Sequence, residues 1–422
     1  MRNCVICGES NWENIDSLRV KPEDMVLCKT CGMIQINKFS TKEEIERHYL
    51  GAEYRKAPNS TNFHSGNLKL QYHQAFLGEY IKEWKDKEVS ICDIGTAYGM
   101  FLHWFKSHVP KANVYGTELT ESYTRNAFWE FGLRLTKEID TSRKYDIISC
   151  YKVLEHLFDV NEQLEIYYNS LNDDGYFYVS SPEWFEELGM FGDGSQQTLF
   201  DGYFHPDHIN VWSRNNHKNI LKKHGFKIIK ENHTIYSSTY MCVKGEKEKI
   251  EYDDPAKIKE NVIKIKQAID NLTLKKPKEA VELWPNYPEA WLAYYEFTRK
   301  EIHAEGAYGE VQKFIEKMLK ACNTPEINSF AGELCRRYKQ FDKAKEYFQI
   351  AIDMRPNSPN IIRSIANLYH DLYAYTKDYN YLLQARDAWG FLRNVYRNEF
   401  DPATNWIYGI NSSLPIPNEN NK

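Results

Sequence analysis

The chain has 422 residues, of which 42% are hydrophobic and 27% are charged, a composition typical of globular proteins with buried cores. This length predicts two or three domains. The net charge of −5 excludes a global field that would attract nucleic acid or an anionic membrane. No apolar stretch approaches the roughly 20 residues that span a bilayer, and the N-terminus lacks the apolar core of a secretory signal. We therefore expect a cytoplasmic protein whose partners include neither a membrane nor a nucleic acid.

Two closely spaced pairs of cysteines open the chain. Cys4 and Cys7 form one CxxC pair, Cys28 and Cys31 form the other, and a glycine follows each pair. In the cytosol such pairs indicate a metal site rather than disulfides. Four thiolates at about 2.3 Å complete the tetrahedral shell of Zn²⁺ and leave no open position, so this metal would be structural. We predict a zinc ribbon over residues 1–40, with rubredoxin-like iron or four metal-free thiols as the alternatives.

A helical segment on the substrate side is predicted next, over residues 41–88. Glu43–Tyr49 and Leu68–Trp84 both carry apolar residues at helical intervals. Tyr54 and His64 lie in the irregular stretch between them. These two side chains are candidates for substrate contact, with an ordinary surface or packing role as the alternative.

An α/β domain is predicted over residues 89–247, followed by a linker over 248–255. Short apolar runs alternate there with segments of helical period, a pattern that favours a mainly parallel sheet covered on both faces. The last two runs predict an antiparallel hairpin. The candidate strands are Val89–Cys92, Asn113–Thr117, Tyr145–Cys150, Tyr176–Ser180, Phe226–Ile229 and Thr239–Lys244.

The turn after the first of these strands has the pattern of a nucleotide-binding site. Asp93 ends the strand, Gly95 permits a tight turn, and Gly99 lets the following helix approach a ligand closely. Glu118 ends the next strand, where its carboxylate can accept hydrogen bonds from both hydroxyls of a ribose. The string DIGTAYG lacks the third glycine of the GxGxxG motif that dinucleotide enzymes use to hold a pyrophosphate. The pattern therefore favours S-adenosylmethionine, which has no pyrophosphate, with a ligand-free tight turn as the alternative.

These motifs, together with the runs YDIISCYKVLEHLFD and HINVWSRNNHKNILKKHGFKII, resemble the class I S-adenosylmethionine-dependent methyltransferases over about residues 70–245. The resemblance implies a Rossmann-type fold and methyl transfer. It also implies that Glu138 is the acid beside the adenine, with Asp140 as the alternative. The family's frequent Glu-His-Leu run is matched at residues 155–157. By resemblance, the cofactor site is lined by Asp93, Gly95, Gly99, Glu118, Glu138 and Tyr151.

The cysteine ribbon followed by this core resembles bacterial sugar C-methyltransferases, which act on nucleotide-linked deoxysugars and related glycan precursors. The similarity spans about residues 1–245 and implies a sugar or nucleotide-sugar acceptor. Those enzymes normally continue into a second α/β domain, whereas this chain continues into a helical region. Because of that departure, we expect methylation at oxygen rather than at carbon.

Histidine is suited to take the proton of a hydroxyl acceptor, because its unperturbed pKa lies near neutral pH. By resemblance, Asp207 and His208 match an acid–histidine pair of the sugar enzymes, so His208 is the first candidate for the base. His156 and His205 are the alternatives, and a metal held by His205, Asp207 and His208 is a further one. Residues 189–204 are Gly-rich and polar, which predicts either a lid over the acceptor or a long surface loop.

Residues 256–422 are predicted to form an all-α domain. Ala344, Phe348, Ala351 and Pro356 have the spacing of a tetratricopeptide helix pair, with Gly332 twelve residues before Ala344. The region therefore resembles degenerate tetratricopeptide repeats, with an unrelated helical bundle as the alternative. Partial matches to the same repeat pattern occur at Trp291, Tyr294, Tyr295, Ala385 and Trp389.

Such repeats usually present a concave surface that binds peptides, so the helical region is a candidate for docking a protein partner. Two alternatives to a sugar enzyme follow from it. The chain could methylate a protein or nucleic acid held by the repeats, or it could act as an assembly factor whose helical region does the work.

Overall fold

The computed structural model describes most of the chain in two compact units, Met1–Lys275 and Lys276–Lys422. Within the described parts, no helix is long and apolar enough to cross a membrane. The described residues are 2–15, 25–37, 41–50, 70, 73–74, 76–184, 207–233, 237–304, 308–355 and 358–395.

A six-stranded sheet forms the centre of the first unit. In spatial order its strands are β10, β11, β7, β6, β4 and β5, and the last four run parallel. The strands β10 and β11 form an antiparallel hairpin, which confirms the prediction for this end of the domain. The fold is a Rossmann-like α/β fold. The strand bounds are β4 Ser90–Ile94, β5 Asn113–Gly116, β6 Tyr145–Tyr151, β7 Leu171–Ser181, β10 Phe226–His233 and β11 Ser238–Lys244.

Helices cover both faces of this sheet. Successive residues of a strand point to opposite faces, so apolar side chains emerge on both. Ile147 packs in one core cluster with Leu102 and Phe105, whereas its neighbour Ile148 packs in another with Leu164. The apolar side chains of each helix recur on one face and are buried there. The helices are α2 over residues 76–84, α3 Met100–His108, α4 Glu121–Phe131, α5 Val160–Ser170 and α6 Arg214–Lys223.

A second sheet joins the N-terminal segment to the core. Its strand order is β1, β2, β3, β9 and β8, where β3 pairs with β9 in antiparallel register, Ile34 opposite Val211. The strand β9 is absent from the candidate strands predicted from the sequence, which leave these residues outside any strand. That strand has four residues, and its partner lies far away in sequence, so no local pattern reveals it. The bounds are β1 Trp12–Asn14, β2 Met25–Cys28, β3 Ile34–Ile36, β8 Glu183–Trp184 and β9 Asn210–Ser213.

Two further helices belong to the first unit. The helix α1, Lys42–Leu50, comes from the predicted substrate-side segment. The helix α7, Pro255–Thr273, begins at Pro255, where Asp254 caps it by accepting a hydrogen bond from the backbone N–H of Ala256. It therefore starts where the predicted linker ends.

In the second unit, every element that the structure describes is a helix. Gly332 of α11 lies against Phe348 of α12, where a Cβ on the glycine would approach the phenyl ring to 2.8 Å. The glycine therefore permits a close crossing of the two helices. Ala344 and Ala351 are buried on the same face of α12, while Pro356 lies outside the described residues. The helices are α8 Pro277–Leu283, α9 Pro288–Ala304, α10 Tyr308–Ala321, α11 Pro325–Arg337, α12 Phe341–Met354, α13 Pro359–Thr376 and α14 Tyr379–Val395.

Candidate functional site

The turn between β4 and α3 is built on two glycines in the left-handed region. Gly95 has φ +64° and Gly99 has φ +77°. A Cβ on Gly95 would lie 2.7 Å from Cγ2 of Val153, and one on Gly99 would lie 2.6 Å from Cδ1 of Leu133. A side chain at either position would strain the backbone and clash with these neighbours, so the turn requires glycine.

Glu118 is held across this turn by two backbone donors. The N–H of Ala97 donates to Oε2 at 3.0 Å, and the N–H of Thr120 donates to Oε1 at 2.8 Å. Each carboxylate oxygen can accept a second hydrogen bond. Glu118 can therefore still accept from two hydroxyls of a ribose while its own position is fixed.

Asp93 lies beneath the turn, with only 4% of its surface exposed. The Oγ of Ser149 donates a hydrogen bond to its Oδ1 at 2.5 Å. Burial raises the pKa of the Asp93 carboxyl from 3.8 to about 6, and the nearby Glu118 carboxylate adds to that rise. A negative charge is therefore held under the turn, at a cost in stability.

A cavity of about 350 Å³ opens at the carboxyl ends of β4, β5 and β6. This volume falls within the range of about 300–1,000 Å³ that is typical of small-molecule sites. Gly95, Glu118 and Glu138 line it, so three of the six predicted cofactor residues meet there. Helix α1 covers the same cavity with Lys42, Ile45, Glu46 and Tyr49.

Tyr151, another of the predicted cofactor residues, packs in an aromatic cluster. Its ring centroid lies 4.4 Å from that of His73, whose Nδ1 lies 2.8 Å from the hydroxyl oxygen of Tyr178. His73 is buried and also contacts the ring of Phe101. The sequence interpretation did not single out His73, because its partners lie on distant elements.

A cluster of histidines stands at the edge of the cavity. Nδ1 of His156 lies 2.8 Å from the carbonyl oxygen of Asp207 and 2.9 Å from the hydroxyl oxygen of Tyr49. The ring centroids of His156 and His208 are 4.9 Å apart. Because His156 and Tyr49 also line the cavity, the cluster adjoins the space that Glu118 faces.

The carboxylate of Asp207 contacts a histidine that the sequence interpretation missed. Its Oδ1 lies 3.2 Å from Nε2 of His48 on helix α1. His48 and Tyr49 both occur in the amphipathic run that predicted this helix, but only the tertiary structure brings them to Asp207. The other predicted candidates, Tyr54, His64, His205 and the 189–204 segment, lie outside the described residues.

The four N-terminal cysteines also come together. Sγ of Cys4 is 3.4 Å from Sγ of Cys31, Sγ of Cys7 is 3.5 Å from Sγ of Cys28, and all four sulfurs lie within 4.8 Å of one another. A tetrahedral shell with metal–sulfur bonds of about 2.3 Å has sulfurs about 3.8 Å apart. The following glycines turn the backbone at φ +81° and +72°. The four sulfurs can therefore hold one metal ion in a closed shell.

Arg2, beside the first cysteine pair, connects this cluster to the cavity. Its guanidinium donates to the carbonyl oxygens of Phe158 at 3.1 Å and of Ile209 at 2.5 Å. Phe158 lines the cavity, and Ile209 follows His208. Burial lowers the pKa of Arg2 to about 10, which leaves the guanidinium charged at neutral pH. The segment that carries the first cysteine pair therefore contacts two loops beside the cavity through Arg2.

Residues 68–231 match the family model of a methyltransferase domain. A comparison with curated proteins gives no match. Among solved structures, the chain is similar to magnesium protoporphyrin IX methyltransferase from Synechocystis PCC 6803 with bound SAH, at 17% identity and a TM-score of 0.33, over 49% of this chain and 95% of that one.

Two further solved structures are similar at the same level. A SAM dependent methyltransferase from Aquifex aeolicus is 17% identical with a TM-score of 0.32, over 42% of this chain and 97% of its own. DesVI from Streptomyces venezuelae is 11% identical with a TM-score of 0.33, over 43% and 98% respectively. Similarity at this level says nothing about the acceptor of the present chain.

Proposed function

We propose that this chain, which is an S-adenosylmethionine-dependent methyltransferase, methylates a hydroxyl group of a sugar or nucleotide sugar. Methyl transfer itself follows from the methyltransferase domain over residues 68–231. The nature of the acceptor and the residue that takes its proton are the proposal. The contact between His48 and Asp207, beside the histidine cluster at the edge of the cavity, is the observation that carries it.

The residues around the cavity fit the cofactor. Gly95 and Glu118 line the cavity, and the fixed carboxylate of Glu118 suits the two ribose hydroxyls. Glu138 lines the cavity, where it can accept from an adenine amino group. When bound, the cofactor supplies a methyl group on a positively charged sulfur.

A hydroxyl acceptor needs a base that takes its proton as the new bond to carbon forms. The sequence predicted His208 for this role. The contacts favour His48 instead, because the carboxylate of Asp207 lies 3.2 Å from its Nε2 and can orient the ring. The side chain of His48 is 27% exposed, so the proton can pass from it to solvent.

The sugar acceptor is supported by the resemblance of the ribbon and core to sugar methyltransferases. The cavity wall also carries charged groups that suit a polyhydroxyl ligand, among them Lys42, Glu46 and Lys152. Both points concern the class of the acceptor and leave its identity open.

The test is an assay with radiolabelled S-adenosylmethionine against nucleotide sugars, glycan fragments, RNA and a proteome extract. We expect label in a sugar, and we expect His48→Ala to lower kcat about 10²- to 10⁴-fold with little change in cofactor affinity. His103→Ala, at an exposed histidine of α3, is the matched control. Turnover only on RNA or on polypeptide would contradict the proposal.

We also propose that the cysteine cluster holds a structural Zn²⁺. The closed set of four sulfurs leaves no position for water or substrate, so the ion would stabilise the fold rather than take part in methyl transfer. It would act on the site through Arg2, which holds the loops at Phe158 and Ile209.

The helical unit is proposed to be tetratricopeptide-like and to dock a protein partner. The close crossing of α11 and α12 at Gly332 and Phe348 supports the repeat-like pairing of these helices. The partner is proposed only as a protein, since no described surface of this unit identifies it further.

A further inference from the structure

We propose that Glu155, His156 and His208 form a second metal site, distinct from the cysteine cluster, that binds a first-row divalent cation beside the cofactor cavity. The cation would hold the oxygen of the acceptor. That role rests on the proposed function, whereas binding of the cation does not.

The three side chains present one oxygen and two nitrogens to a common point. The ligand atoms all lie within 4.8 Å of one another, and Nε2 of His156 is 3.9 Å from Oε1 of Glu155. Glu155 and His156 belong to the short 3₁₀ turn Leu154–His156 after β6, while His208 comes from the segment before β9. For metal bonds of about 2.0–2.2 Å, each ligand atom must move toward the cation by about an ångström or less. Small side-chain rotations allow such a movement.

The groups behind these ligands have the arrangement that supports metal-binding residues. Protein ligands to metals usually bond a second group that fixes their orientation. Nδ1 of His156 faces the carbonyl oxygen of Asp207 at 2.8 Å, and since a carbonyl only accepts, the proton belongs on Nδ1 and the lone pair on Nε2. The other oxygen of Glu155, Oε2, accepts a hydrogen bond from Oγ of Ser181 at 3.0 Å. His156 and Glu155 are therefore both oriented from behind.

Charge favours a cation at this point. Glu155 is fully buried, and a nearby positive charge together with hydrogen bonds stabilises a buried carboxylate. A divalent cation shared with two neutral imidazoles supplies that charge. A cluster in which the imidazoles carry protons is the competing state, and the experiment below separates the two.

The donor set selects the kind of metal. Two imidazoles and one carboxylate suit Mn²⁺, Fe²⁺, Co²⁺, Ni²⁺ or Zn²⁺, whereas Mg²⁺ and Ca²⁺ prefer oxygen ligands alone. Three protein ligands leave positions open, and His156 lines the cavity, so these positions adjoin it. A hydroxyl oxygen or a pair of neighbouring hydroxyls of the acceptor can fill them.

The cation would then assist the reaction by lowering the pKa of the bound hydroxyl. The proton passes to His48, and the oxygen forms a bond to the methyl carbon. The carbon–sulfur bond breaks, its electron pair stays on sulfur, and the products are a methyl ether and S-adenosylhomocysteine.

The experiment titrates Mn²⁺ into the full-length protein, purified with the metal of its cysteine cluster in place, and follows binding by electron paramagnetic resonance. Mn²⁺ is the probe because thiolates bind it poorly. We expect one equivalent per chain. Glu155→Gln and His208→Ala should each weaken binding at least tenfold, and Ser181→Ala, which removes only the group behind Glu155, should weaken it by roughly tenfold.

His103→Ala should bind Mn²⁺ like the natural chain, and calorimetry with S-adenosylhomocysteine checks that every variant is folded. The proposal is overturned if the natural chain binds no Mn²⁺, Co²⁺ or Zn²⁺ beyond the cysteine equivalent. It is also overturned if Glu155→Gln and His208→Ala bind Mn²⁺ with unchanged affinity. Because no acceptor is present, failure of the sugar assay leaves this result untouched.

Discussion

Replacing Asp93 by asparagine should stabilise the folded protein increasingly as the pH rises from 5 to 8. Burial raises the pKa of this carboxyl from 3.8 to about 6, so the folded chain keeps its proton over a range where the unfolded chain has lost it. The unfolded state therefore binds fewer protons between these values, and stability falls as the pH rises through that window. Asparagine cannot ionise and removes this loss.

The size of the effect follows from the shift. The rise of the Asp93 pKa from 3.8 to about 6 corresponds to a loss of about 3 kcal/mol in folding stability above pH 7. At pH 5 ionisation of Asp93 lowers the folding stability by only about 1.6 kcal/mol. The stabilisation by Asp93→Asn should therefore increase by about 1.4 kcal/mol between pH 5 and pH 8. The hydrogen bond with Ser149 and other pH-independent differences cancel in this comparison.

The assay is thermal unfolding of both proteins at pH 5 and pH 8. The midpoint of Asp93→Asn, relative to the natural chain, should rise by about 3–6 °C between the two pH values. Asp140→Asn is the matched control. Asp140 is exposed and its pKa is lowered by Ser142 and Arg143, so it is ionised throughout this range and its effect should not change with pH. A relative midpoint of Asp93→Asn that stays level from pH 5 to pH 8 would show that burial does not raise the pKa of Asp93.

Three further substitutions test other parts of the structure. Gly99→Ala should destabilise the first unit by about 1–3 kcal/mol, because its Cβ would meet Leu133 at 2.6 Å in a left-handed backbone. It should also weaken the binding of S-adenosylhomocysteine, measured by calorimetry, and an unchanged affinity would count against a role of this turn in cofactor binding. Cys28→Ser should release one equivalent of zinc, measured by mass spectrometry of metals, and lower the melting midpoint; full zinc content would rule out the cysteine site. Gly332→Ala should destabilise the helical unit by about 1–3 kcal/mol through its contact with Phe348 and leave cofactor affinity unchanged. Unfolding of the helices is followed by circular dichroism, and an unchanged stability would contradict the close helix crossing.

The features that could be predicted from the sequence are those with a local cause. The strand Ser90–Ile94 and the glycine turn after it follow from an apolar run, an acid and two glycines within eleven residues. Each CxxC turn places its own two sulfurs on one side, so the spacing of the cysteines predicts a shared site. The final hairpin follows for the same reason, since its strands are neighbours in sequence.

The contacts that complete the site could not be predicted, because they join distant parts of the chain. Tyr49 and His156 are 107 positions apart, and Arg2 and Ile209 are 207 apart. The helix that carries Tyr49 could be expected from its period, but not the cavity that it covers. The pairing of Asp207 with His48 likewise depends on how that helix packs.

The strand at Asn210–Ser213 shows the same limit for backbone structure. Four residues give too short a pattern to separate a strand from a loop. The strand forms because Ile34–Ile36 offers it an edge, and that edge belongs to the N-terminal segment. The N-terminal segment and the strand at Asn210–Ser213 therefore share one sheet, which neither part of the sequence indicates alone.

The most direct test of the central proposal uses S-adenosylmethionine with a ¹³C-labelled methyl group and a sugar or nucleotide-sugar acceptor, followed by nuclear magnetic resonance of the product. We expect one new labelled methyl signal coupled through oxygen to a sugar carbon, absent from the Glu118→Ala variant because the cofactor is no longer held. A labelled methyl group bound directly to carbon, or label found only in protein or RNA, would contradict it.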